Sequence, residues 1–99
     1  MTVPLNESIN LLLDALNQPS RRSELIKQFQ QLVWNIPKSI TEVNVWAWDT
    51  LQELAYDLDF YEPNAGLRSE DSSYFGDERV EEEIKSTLKK LKEGGISFP

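Results

Sequence analysis

The chain of 99 residues contains neither cysteine nor histidine. The first absence excludes a disulfide framework, a thiolate metal site and a cysteine nucleophile; the second removes the usual general base and the commonest zinc ligand. Glycine is scarce as well, with four residues spread over turn and cap positions, and no GxGxxG, P-loop or nucleophile-elbow pattern occurs. No catalytic residue is assigned, no cofactor is expected, and the chain is read as a non-enzyme. No run approaches the roughly 18 consecutive apolar residues of a membrane span, and no basic leader followed by an apolar stretch opens the chain. The expectation is a cytoplasmic protein without a membrane partner.

What is present is acid. Seventeen Asp and Glu against ten Lys and Arg give a net charge of −7, which disfavours nucleic acid as a ligand and favours a basic partner. Hydrophobic residues make up 39% of the chain, enough for one core at this length without metals or crosslinks. A single domain over residues 1–99 is expected.

Apolar residues recur at helical spacing in four places. Leu5, Ile9, Leu12, Leu13 and Leu16 form helix one, with Asn6 able to cap its start and Asn17-Gln18-Pro19 ending it. Leu25, Ile26, Phe29, Leu32 and Val33 share one face of helix two, over about 21–35, which stops before Pro37 because the residue preceding proline avoids helical geometry. After a connector, Trp48, Leu51, Leu54, Ala55 and Leu58 define helix three over about 43–60. Pro63, Asn64 and Gly66 break the pattern, and the stretch to Gly76 reads as a long ordered loop. Asp77 can cap the last helix, whose inner face is Val80, Ile84, Leu88 and Leu91, and Gly94-Gly95 ends it. The spacing predicts an all-α fold, an antiparallel four-helix bundle with a long loop between helices three and four. Trp34 and Trp48 are expected to pack inside.

The charge is unevenly placed. Residues 1–41 carry a net +1, residues 84–99 a net +3, and residues 42–83 hold thirteen acids against only Arg68 and Arg79, a net −11. On helix three, Asp49, Glu53 and Asp57 fall in one stripe opposite the apolar face, with Trp46 and Phe60 on the same outer side. Like charges four residues apart weaken a helix slightly, so local stability does not explain the stripe. It is either a solvated face or an interface, since exposed aromatics among charges tend to mark contact surfaces. The acids Glu78, Glu81, Glu82 and Glu83, followed by Lys85, Lys89, Lys90 and Lys92, have a simpler cause: they complement the dipole of the last helix, and Glu81 is placed to pair with Lys85. Asp57, Asp59 and Glu62 offer oxygens for a cation, yet an EF-hand loop begun at Asp57 requires Gly where Glu62 stands, so no metal site is assigned.

From Leu51 to Asn64 the run LQELAYDLDFYEPN, followed by Arg68, Tyr74 and a last helix with Val80, Glu83, Ile84, Leu88 and Leu91, resembles the colicin D immunity protein family. The resemblance covers residues 50–92, with Tyr61-Glu62-Pro63-Asn64 and Arg68 as its sharpest element. It implies a four-helix bundle that binds, one to one, the basic C-terminal nuclease domain of a cognate tRNA-cleaving toxin, delivered as a bacteriocin or by contact-dependent inhibition. Carried over by position, the inhibitory acids are Asp59 and Glu62. Asn64 stands where a third acid is common, and Glu70 and Asp71 can supply the missing charge. Arg68 is expected to tie the loop to a carboxylate such as Glu62, and Phe60, Tyr61 and Trp46 are candidate anchors beside Asp49, Glu53 and Asp57. A general acidic helical adaptor for a basic protein or peptide shares every compositional feature and is the competing expectation.

Overall fold

The computed structural model describes residues 4–98. Four longer helices carry the packing: α1 (Pro4–Asn17), α2 (Arg22–Trp34), α4 (Val45–Leu58) and α6 (Asp77–Glu93). Two single turns lie between them, α3 (Lys38–Thr41) in the expected connector and α5 (Ala65–Arg68) in the expected loop. No strand forms among the described residues; one isolated bridge pairs Tyr61 with Phe75. In the packing α1 lies on α2, α2 on α4, α4 on α6, and α6 returns to α1, giving a molecule of 41 × 25 × 24 Å.

The inner faces are those the periodicity marks. Ile9, Leu12, Leu25, Ile26, Phe29, Val33, Trp48, Leu51, Leu54, Leu58, Val80, Ile84, Leu88 and Leu91 form one buried cluster, whose removal from water is the main favourable term of folding. Trp34 departs from expectation: it is 53% exposed, because Val33 takes the inward position of the last turn of α2 and Gln30 fills the buried edge beside it. Asn6 does not cap α1, which begins two residues earlier at Pro4, where a missing N–H leaves no intrahelical bond unmade. Asp77 is not a cap either. Gly76 holds that position with extended backbone, and Asp77 is the first residue of α6. Asn44 caps α4, its Oδ1 accepting from the Ala47 amide at 3.2 Å.

Gly94-Gly95 ends α6 as expected. The Ile96 amide donates to the Leu91 carbonyl and the Gly95 amide to that of Lys92, both at 3.0 Å, with Gly95 at φ 97°; this is a Schellman ending, for which glycine is the favoured residue. The Trp46 ring lies directly against Gly94, filling the space a Cβ would need. The start of α4 and the end of α6 therefore meet at one end of the molecule.

The opposite end is organised by Arg22, a residue the sequence pattern did not single out. Its side chain is only 1% exposed. Nε donates to the Ala15 carbonyl at 2.8 Å and Nη2 to that of Leu16 at 3.3 Å, so the guanidinium satisfies carbonyls left open in the last turn of α1. The same group forms ion pairs of 2.9 Å with Asp77 and with Glu81. Glu81, expected beside Lys85, is thus turned to Arg22 instead. The Tyr61 hydroxyl donates to Asp77 at 2.5 Å, which brings the chain leaving α4 into the same assembly.

Candidate functional surface

Asp49, Glu53 and Asp57 are exposed along the outer face of α4. With Gln52 and Tyr56 they border an open depression of about 540 Å³. Tyr56 is 64% exposed and meets the half-buried Phe60 edge-on, ring centroids 5.7 Å apart. The sequence reading passed over Tyr56, although its place four residues before Phe60 on a helical path was the signal.

Asp59 and Glu62 follow at the exit of α4, Asp59 exposed and Glu62 half-buried. Three hydrogen bonds hold this exit. The Phe75 amide donates to the Phe60 carbonyl at 3.0 Å and the Glu62 amide to the Phe75 carbonyl at 2.8 Å, while Arg68 Nη1 donates to the Glu62 carbonyl at 2.8 Å. Arg68 therefore ties the loop through the main chain of Glu62, where a bond to its carboxylate was expected, and the carboxylate forms no ion pair with a described residue. Gly76 makes room for this guanidinium: a Cβ there would stand 2.6 Å from Nη1. Arg79 lies over the Phe75 ring, 5.0 Å from its centroid, and backs the same neck of the loop.

Asn64 has a local role. Its Oδ1 accepts from the Gly66 amide at 2.8 Å and the Leu67 amide at 3.2 Å, capping α5. Glu70 and Asp71 are exposed beyond α5, with Asp71 Oδ1 accepting from the Ser73 amide at 2.8 Å.

Two of the three expected anchors are also in structural use. Tyr61 directs its hydroxyl to Asp77, and burial, reinforced by that carboxylate, pushes its phenol up to about 12. Trp46, 40% exposed, covers Gly94 at the start of α4, about 20 Å along the helix from Asp59 at 1.5 Å per residue. The structure brings Asp59, Glu62, Phe60 and Tyr61 together and places Trp46 at the far end.

The ion pairs divide the acids into two sets. Asp77 and Glu81 are held by Arg22, Glu83 by Arg79, Glu24 by Arg21 and Glu93 by Lys89. Asp49, Glu53, Asp57, Asp59, Glu62, Glu70 and Asp71 enter no ion pair with a described residue, and neither do Glu7, Asp14, Glu42, Glu78 and Glu82, which lie apart from this surface in the sequence. Among the described residues no group of three or more acids is arranged to hold a metal ion, and no helix is long and apolar enough to cross a membrane. No protein family model matches the chain, and neither a curated protein nor a solved structure does.

Proposed function

We propose that this chain is an immunity protein, an antiparallel four-helix bundle that binds and neutralises a cognate toxin nuclease in the cytoplasm of the cell that makes both. The observation that carries the reading is the unneutralised set of acids on the outer face and exit of α4, coinciding with the residues that resemble the colicin D immunity proteins. A tRNA-cleaving domain is basic along its RNA path. Carboxylates presented there occupy positions that RNA phosphates would take, and complementary potential speeds encounter above the unsteered rate of about 10⁵ to 10⁶ M⁻¹s⁻¹. Asp59 and Glu62 carry the inhibition in this reading. Phe60 and Tyr56 supply the aromatic contact area, since buried rings rather than rim charges dominate most interface energies.

The test is to mix the protein with the basic C-terminal domain of a toxin encoded beside its gene and to follow both complex formation and cleavage of total tRNA. Equimolar binding with loss of cleavage is expected. Replacing both Asp59 and Glu62 by Ala should weaken binding by about 2–5 kcal/mol, the range for truncated charge pairs at interfaces, with the thermal midpoint little changed because neither side chain bonds to a described residue. Undiminished inhibition by that variant would overturn the assignment of the two acids. Absence of any complex would return the chain to the acidic adaptors.

A further inference from the structure

The exposed apolar side chains are not spread evenly over the molecule. Four of the seven large ones exposed among the described residues, Trp34, Val43, Val45 and Trp46, lie within residues 34–46. Val43 is 85% exposed and Val45 56%. Ile26 and Leu58 line one groove and Gln30 bonds to Ala55, so α2 and α4 run antiparallel, and the end of α2 lies at the same end of the molecule as the start of α4. Half-buried Ile36 and Ile40 pack on the core cluster and fasten the connector across that end, with α3 against the turn Glu42–Asn44. The two tryptophan rings, each about half exposed, contribute on the order of 200 Å². With the valines, the apolar area at this end falls within the roughly 300–600 Å² of the largest patch on a typical monomer, a size that marks contact sites.

Charge identifies the occupant. Between Trp34 and Trp46 the only charged residues are Lys38 and Glu42, both exposed, and neither enters an ion pair with a described residue. The stretch is therefore neutral, and it draws neither the basic partner that the acids of α4 suit nor an anionic bilayer. Two chains of net charge −7 repel through most of their surfaces and least through a neutral one. A two-fold contact sets residue i of one copy on residue j of the other, and j on i. One free cation and one free anion, four residues apart, meet that rule. We propose that this end pairs with a second copy of the chain about a two-fold axis, burying Trp34, Val43 and Val45, with Lys38 of each copy donating to Glu42 of the other. The area is below the roughly 800 Å² per partner of a standard interface, so the pair is weak and concentration-dependent. It leaves the exit of α4 free at the opposite end, and it does not depend on the immunity reading.

The test is sedimentation equilibrium of the protein alone, up to about 1 mM, which populates even weak pairs. The mass should rise from one chain to two and no further. Val43→Glu should leave helix content and thermal midpoint unchanged, because the position is exposed, and lower association about tenfold or more, because it puts a charge into an apolar contact. Lys38→Glu and Glu42→Lys should each weaken association several-fold, since each sets like charges opposite one another twice. An equimolar mixture of those two variants should associate again, because every introduced charge then meets its opposite. A single-chain mass at all concentrations, association indifferent to Val43→Glu or to the charge reversals, or no recovery in the mixture would overturn the proposal. Growth beyond two chains would overturn it as well, since a two-fold contact closes. A monomeric chain that sediments with phosphatidylglycerol vesicles would assign this end to a bilayer instead. No nuclease enters these measurements, so their failure leaves the immunity reading untouched, and a failure to capture any nuclease leaves the pair untouched.

Discussion

Tyr61 and Asp77 show how one pair of side chains sets two pH limits, the alkaline one through burial of the phenol first and its bond to Asp77 second. The Asp77 carboxyl is held below its usual value, first by the Tyr61 hydroxyl and then by Arg22. The folded chain thus binds fewer protons than the unfolded one in acid. The contribution is complete above the ordinary carboxyl value of about 3.9 and is lost as pH falls through the lowered folded value. Tyr61 works in the opposite sense. Its phenol is raised from 10.0 to about 12, so its contribution is complete below 10.0 and is lost as pH rises from there to about 12. Tyr61→Phe should cost about 1.5–3 kcal/mol at neutral pH, the worth of a hydrogen bond to a charged group. The difference from the parent should shrink on the alkaline side, measured by urea unfolding near pH 9 and near pH 11. A constant difference across that interval would remove the phenol from the alkaline limit.

Among the elements, the junction of α4 and α6 depends on the absence of a single carbon. Gly94 has φ −84° and ψ 5°, which any residue adopts, so alanine there would strain no backbone. It would strike the Trp46 ring. Gly94→Ala should destabilise by about 1–3 kcal/mol, as overpacking does, and the loss should disappear when Trp46→Ala is made in the same chain. Equal losses with and without the ring, in a double-mutant cycle of denaturation midpoints, would show that the contact is not the cause. The elements themselves were legible in the sequence wherever apolar residues kept strict spacing. Val80, Ile84, Leu88 and Leu91 in α6, and Trp48, Leu51, Leu54, Ala55 and Leu58 in α4, are all buried as read. What stayed hidden depends on partners far along the chain. Asp77 reads as a cap until Arg22, 55 positions away, is beside it. Trp34 reads as core by its chemistry alone, whereas Gln30, polar by composition, has the buried place. On the candidate surface, the place of Asp59 and Glu62 at the exit of α4 was legible from the helical spacing that ends there; the bond from Arg68 to the Glu62 carbonyl was not, since it uses an acceptor every residue possesses.

Across the whole molecule, Arg22 is the single group that joins the end of α1, the start of α2 and the start of α6, and through Asp77 it reaches the exit of α4. Arg22→Met would leave the Ala15 and Leu16 carbonyls without these donors. Asp77 and Glu81, with side chains 55% and 41% exposed, can recover water. The expected loss is therefore about 2–4 kcal/mol, below the worst case for a broken buried pair in which the abandoned charge stays buried. Urea denaturation measures it, and a loss under about 0.5 kcal/mol, typical of an ordinary surface change, would show that the guanidinium is replaceable. The same end of the molecule holds the closed neck of the loop, where Phe60, Glu62 and Phe75 are paired through their main chains. Because two of the three bonds that fasten the neck use main-chain atoms alone and the third needs only Arg68, the segment beyond it can change length and chemistry around that arginine at a closure cost of only about 0.6 kcal/mol per doubling. Apart from Arg68, residues 64–73 are thus a cassette: an evolving lineage, or a designer, can rewrite them to meet a new partner while the helices beneath keep their sequence.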